Sequence, residues 1–460
     1  MYQGNDVCGL CEQLENRSIS ARELAEETIK REEDLAHLNA VSHFDPELVR
    51  QKASRSDALR EAGSGGKLCG VPFVAKDNIN TIAFPTTAGT PALEANTPES
   101  DASVVSLLKN SGAYVGGKAG MHELAFGITS NNSATGPVRN PWDPSKIPGG
   151  SSGGTASAVA AGIFPFGLGT DTGASVRLPS ALCGAVGFRP TVGRYSQEGV
   201  VPISHTRDTV GAITRSMRDI ALIDGILSND DKPYVKVDLT DVVLGIPSEV
   251  FYEDLDPEVE TYIQTALSAL EKSGATLVDV SLAEIWPLNE AVGFPVALFE
   301  VMRDLPAYLE KHAPSVSLPE LISKIASPDV EAVFESQLGE QAISEDAYLS
   351  AIREHRPAAQ ALYESVFREN QLNALVFPTS ALRARDIGQD ETVVLNGNAV
   401  PTFPTYIRNT DLGSNIGVPG ISIPCPDVEG LPVGIEFEGL AGRDRDLIGL
   451  AISAERVFGT

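Results

Sequence analysis

Between about residues 140 and 215 the chain is rich in Gly, Ser, Thr and Pro and poor in charge, although the whole sequence carries 62 Asp+Glu against 35 Lys+Arg. Charged side chains collect where water reaches them, so a low-charge run of small residues in so acidic a protein predicts a buried, tightly turned centre. The remainder of the chain must wrap that centre, and its pattern says how. A helix is expected over 20–38, opened by a capping box of Ser20 and Glu23, with Leu24, Thr28, Leu35 and Leu38 roughly on one face. A second is expected over 257–273: Asp256 caps it, Pro257 sits in its first turn, Val259, Ile263, Ala266, Leu267 and Leu270 form its stripe, and Gly274 ends it. Residues 276–280 then alternate as a strand. The same helix–Gly–strand phrase occurs from Val104 to Gly112 and on through Ala113, Tyr114 and Val115. Short apolar runs at 71–75, 243–246, 374–377 and 420–424 read as further strands, and no Ser/Pro linker or charge block divides the chain. Alternation of this kind predicts an α/β fold.

The formal net charge of −27 disfavours phosphate backbones and anionic lipid, so neither nucleic acid nor membrane is expected as a partner. The longest apolar run, 156–168, is broken by Gly162 and Pro165 and falls short of the roughly 20 residues of a spanning helix. Five cysteines are too sparse and odd a set for a disulfide scaffold. Cys8 and Cys11 form a C-x-x-C with no second pair at zinc-finger spacing, which reads as chance on a helix face. Residues 1–6 lack a basic stretch followed by an apolar one, so no signal peptide and a cytoplasmic location are expected. No His/Cys/Asp cluster has ligand spacing, so neither a metal nor an organic cofactor is expected.

Three motifs compete for the central run Gly149-Gly150-Ser151-Ser152-Gly153-Gly154-Thr155 and its sequel. A phosphate loop fails because Thr155 stands where the loop's Lys should be. A nucleophile elbow centred on Ser152 fails because a buried strand must precede it, and residues 140–148 hold three prolines. Nor is any of His205, His312 and His355 marked as its base. Asp171-Thr172-Gly173-Ala174-Ser175 mimics the aspartic-peptidase turn, but that chemistry needs a second such turn, and Asp411-Leu412-Gly413 is not one. Amide hydrolysis uses all the pieces together. It needs a nucleophile, a base and donors for an oxyanion. Lys76 ends an apolar run, 149–154 supplies serines on a pliable backbone, and 171–175 ends in a Ser behind small residues whose N–H groups can converge.

With those residues assembled, the chain resembles the amidase signature family. The matching block runs from Pro148-Gly149-Gly150-Ser151-Ser152-Gly153-Gly154 through Gly169-Thr170-Asp171-Thr172-Gly173-Ala174-Ser175-Val176-Arg177 to Cys183-Gly184 and Gly187-Phe188-Arg189-Pro190-Thr191. Weaker echoes at Phe377-Pro378-Thr379, Asn415 to Ser422 and Leu431-Pro432-Val433-Gly434 carry the likeness to the end. The resemblance implies one large α/β domain over 1–460, a mixed, twisted sheet of about eleven strands covered by helices. It further implies a Ser–cis-Ser–Lys triad: Ser175 as nucleophile, Ser151 behind a cis Gly150–Ser151 bond as proton relay, and Lys76 as a neutral base kept so by burial. Backbone N–H groups of Thr172, Gly173, Ala174 and Ser175 are the implied oxyanion hole, Ser152 the implied hydrogen-bonding support of Lys76, and Asp171 and Arg177 bracing. Where the family usually has Gly, this chain has Ala174, which adds strain if that position needs φ > 0.

The stretch Gly120-Met121-His122-Glu123-Leu124-Ala125-Phe126-Gly127-Ile128-Thr129-Ser130-Asn131, with Thr87-Ala88-Gly89-Thr90 and Val201-Pro202-Ile203-Ser204-His205-Thr206, is similar to the family's arylacetamide hydrolases of mandelamide and indoleacetamide type. That likeness implies a small primary amide as substrate, with Ala125, Gly127, Thr129 and Gly150 around the acyl pocket and small side chains leaving room for a ring. His122 reads as a helix-face residue bonded to Glu123 or backbone. The alternatives left open are the glutaminase subunit of a tRNA-dependent amidotransferase, and the same triad acting on a larger amide, ester, urea or carbamate. A homodimer is compatible with the sequence and not required by it. Residues 285–340 carry no motif.

Overall fold

The computed structural model describes residues 6–230 and 232–459; residues 1–5, on which the reading of no leader mostly rests, lie outside them. Eleven strands form one sheet: β1 (Val41–Phe44), β2 (Pro72–Lys76), β3 (Tyr114–Ala119), β4 (Gly167–Asp171), β5 (Val186–Arg189), β6 (Thr209–Thr214), β7 (Val243–Pro247), β8 (Thr276–Val280), β9 (Ala374–Pro378), β12 (Gly420–Pro424) and β13 (Gly434–Glu438). A separate hairpin joins β10 (Thr392–Leu395) to β11 (Asn398–Pro401). The order across the sheet is β1-β3-β2-β4-β6-β5-β12-β13-β9-β7-β8. Its centre, from β4 to β9, is antiparallel, and the flanking groups β3-β2-β4 and β9-β7-β8 are parallel. Helices cover the sheet, so the α/β class and the eleven-stranded mixed sheet follow the expectation.

The local reasons are legible. The helix Ala21–Asp34 has the full Ser20/Glu23 capping box, but it stops short of residue 38. Leu35 leaves helical geometry at φ −113°, and only a short turn, Ala36–Leu38, continues. The helix Pro257–Lys272 is capped by Asp256, whose side chain accepts from the Glu258 N–H. Both helix–Gly–strand phrases turn on a left-handed glycine, Gly112 at φ +95° and Gly274 at φ +104°, a conformation that costs other residues energy. Cys8 and Cys11 lie on the helix Val7–Glu15 and are free thiols.

The small-residue stretch 140–215 is buried only in part: every residue from 147 to 160 is buried, including the whole helix Gly153–Ala160, whereas 141–146 and much of 191–198 lie at the surface in proline- and glycine-containing turns. Among the described residues, no helix is long and apolar enough to cross a membrane. Residues 285–340, silent in sequence, fold into the long helix Trp286–His312 and the shorter Leu318–Ser323 and Pro328–Ser336, which pack beside the mouth of that centre.

Candidate active site

Lys76 is the last residue of β2, and Thr170 and Asp171 close β4; the two strands are parallel neighbours, so these ends meet on one edge of the sheet. The Lys76 side chain is fully buried. Its Nζ donates to Ser151 Oγ at 2.8 Å and to Thr170 Oγ1 at 2.8 Å, with the Thr170 carbonyl at 3.5 Å. Burial pushes the ammonium down to about 7, while the negative charges of Asp171 and Asp208 pull it back up. An amine in that position is available uncharged near neutrality.

Ser151 follows a cis peptide bond from Gly150. The loop carrying it is stitched by Ser130, whose hydroxyl donates to the Gly149 carbonyl (2.9 Å) and accepts from the Gly153 N–H (3.2 Å). The His122 N–H donates to the Ser151 carbonyl, and the Ser152 N–H donates to the Ser175 carbonyl, each at 3.2 Å. The second contact holds the two serine segments against each other.

The turn 172–175 is held from outside, which frees its own donors. The Asp171 carboxylate accepts from the Val176 N–H at 3.0 Å, and Arg177 Nη2 donates to the Gly173 carbonyl at 3.1 Å. Thr172 Oγ1 donates to Asp208 Oδ1 at 2.6 Å. Among the described residues, the backbone N–H groups of Thr172, Gly173, Ala174 and Ser175 have no protein acceptor. N–H groups left without an acceptor in the turn that carries the Ser175 hydroxyl are available to an oxyanion. Burial works against the charge of Asp171, but Arg177 and Arg189 hold its carboxyl well below the usual range. Asp171 and Arg177 thus brace the turn through a fully buried ion pair at 3.1 Å.

Ser175 opens on a cavity of about 390 Å³ whose wall is mostly apolar: Phe126, Ile128, Ile203, Phe294, Leu298 and Phe403 contribute to it. Ala125, Gly127, Thr129 and residues 172–175 also line it. Gly150 does not, and is packed instead under the loop, where an added Cβ would lie 2.9 Å from Ser130 Oγ.

Beyond Gly150, four expectations about the site differ from the structure. Ser152 does not hydrogen-bond Lys76: its hydroxyl donates to the Thr170 carbonyl at 3.2 Å, and Thr170 supplies the contact to the amine. His122 is not on a helix face and does not pair with Glu123; its Nε2 lies 2.9 Å from Asp329 Oδ2 and its Nδ1 3.4 Å from Thr129 Oγ1. The room left by Gly127 is taken by His122, since a Cβ there would fall 2.2 Å from the imidazole Nε2. Ala174 is not among the residues at positive φ, so the strain feared for it is absent. The fold also gathers a cluster that sequence spacing hid: ligand atoms of His205, Glu300 and Asp304 lie within 4.8 Å of one another. Arg303 already compensates it, donating to Asp304 at 2.7 Å and lying 2.7 Å from His205 Nδ1 and 3.3 Å from Glu300.

Residues that sequence reasoning missed are Thr170, Ser130 and Asp208. Asp208 accepts from Thr172 Oγ1 and from the Ile203 and Ser204 N–H groups (2.9 Å each), and burial pushes its carboxyl up to about 6. Thr170 stood inside the quoted block one residue before Asp171, and strand alternation already put the two on opposite faces.

The chain matches the Amidase family model over residues 23–448. It is 44% identical over 449 residues to an indoleacetamide hydrolase of Agrobacterium tumefaciens, covering 97% of this chain and 96% of the relative. It is 40% identical over 466 residues to a mandelamide hydrolase of Pseudomonas putida, covering 97% and 90% respectively. A solved amidase crystal structure superposes with a TM-score of 0.87 at 32% identity, covering 99% of this chain and all of that one.

Proposed function

Because this chain belongs to the amidase family and is an amide C–N hydrolase, we propose that its substrate is a primary arylacetamide, of indoleacetamide or mandelamide type, cleaved to the carboxylic acid and ammonia through an acyl-enzyme on Ser175. The observation that carries the chemistry is a fully buried Lys76 amine 2.8 Å from the Ser151 hydroxyl. The apolar cavity beside Ser175 supports the aryl group.

In the mechanism, neutral Lys76 takes the Ser151 hydroxyl proton as Ser151 Oγ takes that of Ser175. Ser175 Oγ bonds to the amide carbon, and the carbonyl oxygen becomes an oxyanion facing the N–H groups of residues 172–175. The C–N bond then breaks, the nitrogen receives a proton from Ser151, Ser151 is reprotonated by the Lys76 ammonium, and ammonia leaves. Water repeats the attack on the ester, giving the acid and free Ser175. Arg177 and Asp171 touch no reacting atom; they aim the donors.

Ammonia release from phenylacetamide, mandelamide, indoleacetamide and glutamine tests the reading. Turnover of the aryl amides is expected; turnover of glutamine alone would replace it with the amidotransferase reading. Ser175→Ala and Lys76→Met are each expected to lower kcat/KM by about 10³-fold or more with the fold kept. A fluorophosphonate should label Ser175, and labelling of Ser152 instead would overturn the assignment. Since the base acts uncharged, kcat/KM should rise with pH through about 7.

A further inference from the structure

One wall of the acyl cavity carries a continuous polar chain. Asp329 bonds His122, His122 reaches Thr129, and Thr129 Oγ1 donates to Asp390 Oδ1 at 2.7 Å. Asp390 Oδ2 accepts from Asn131 Nδ2 at 2.6 Å. Three carboxylates therefore face the cavity, Asp329, Asp390 and Asp411. Asp329 is paired with His122, and Asp411 with Arg207 at 2.7 Å. Among the described residues, Asp390 has no ion-pair partner. A carboxylate offers about four lone-pair sites, and Thr129 and Asn131 occupy two. Asp390 is partly buried against apolar walls, where a charge lacking a counter-ion interacts strongly with whatever enters.

We propose that Asp390 is the specificity residue of the acyl pocket: it accepts a hydrogen bond from a donor, or faces a positive charge, on the aryl group, and it repels acyl groups bearing a negative charge. This rests on the arylacetamide reading and ranks substrates within it: aryl groups with an N–H, O–H or ammonium group are favoured over unsubstituted rings, and anionic ones are disfavoured. The neighbours set the chemistry: Thr129 and Asn131 both donate to Asp390, so what this cavity-lining carboxylate has left to offer a ligand is acceptor capacity. A unit charge roughly 6 Å away across a part-hydrated cavity changes binding about tenfold.

The test measures kcat/KM of wild type and Asp390→Asn on phenylacetamide, on its aminomethyl (cationic) and carboxyl (anionic) ring derivatives, and on indoleacetamide against its N-methyl analogue. Wild type is expected to favour the cation over the anion by about tenfold or more, and indoleacetamide over the N-methyl compound. Asp390→Asn should collapse the cation/anion ratio toward one. Ratios between substrates do not depend on how much of the variant folds. A wild-type enzyme indifferent to charge, or a ratio unchanged in Asp390→Asn, overturns the proposal. No ammonia from any neutral arylacetamide would instead sink the substrate reading on which it rests.

Discussion

At the scale of single residues, the site is a set of polar groups whose partners decide their chemistry. Lys76 shows this best: with Ser151 and Thr170 hydroxyls at 2.8 Å, its charged form keeps acceptors even though it has lost water. Thr170→Val removes one of them. A hydrogen bond to a charged group is worth about 1.5–3 kcal/mol, so the ammonium should lose protons more easily and the acid limb of kcat/KM should move down by about one pH unit. The plateau rate should fall as well, since the amine loses one of its two aiming contacts. A Thr170 that served only packing would lower the plateau and leave the limb in place. Assigning the contact to Ser152 failed for a physical reason. Adjacency to Ser151 in the chain puts Ser152 close, but as N-cap of the helix Gly153–Ala160 its side chain turns to the Thr170 carbonyl.

At the scale of elements, the helical segment 285–340 becomes the far wall of the cavity, with Phe294 and Leu298 from one helix and Asp329 and Val333 from another. What ties it to the motif-bearing side is Glu123, whose carboxylate accepts from the Ala326 N–H at 3.1 Å and the Ser327 N–H at 2.8 Å. Glu123 is fully buried, so Glu123→Ala leaves two N–H groups unpaired at a cost of about 1–3 kcal/mol each. The expected outcome is a lower melting temperature and a KM raised several-fold, with kcat changed less because residues 172–175 are held by other partners. A drop in kcat alone would show that the segment does not shape the pocket. Helix and strand positions were legible here wherever caps and periodicity spoke, as at Asp256 and Ser20. The docking of the segment was not, because Glu123 and Ser327 are 204 residues apart.

At the scale of the whole molecule, buried charges join the two halves of the sheet behind the site. Arg177, next to the turn 172–175, reaches Asp171 of β4 at 3.1 Å and Glu436 of β13 at 2.7 Å, with Glu438 at 3.8 Å. Three buried carboxylates face Arg177 and Arg189, and Glu438 rises to about 8 through burial and the repulsion of Glu436, itself raised to about 7 mainly by burial. A carboxyl whose folded value is raised binds its proton more tightly in the folded state, so its stabilising share is complete at low pH and is lost as pH climbs from about 4.5 through about 8. Glu438→Gln cannot ionise and escapes that loss. Its melting temperature relative to wild type should therefore improve steadily between pH 5 and 8.5, and a constant difference across that range would refute the assignment. Arg177→Met, by contrast, strands the carboxylates and should cost about 3–5 kcal/mol.

The class of fold, the caps and glycine stops of the helices, the burial of part of the small-residue centre and the meeting of Ser151 with Lys76 were legible in the chain, because short-range periodicity, backbone conformation and a dense motif are all written in neighbouring positions. Only the packing of the folded chain shows that Thr170 rather than Ser152 bonds the amine, that His122 answers to Asp329, and that Asp390 lines the cavity beside Ser175. Each of those contacts joins residues whose separation along the chain carries no signal, and a hydrogen bond of under 3 Å is settled only when the packing of whole elements has fixed where both ends lie.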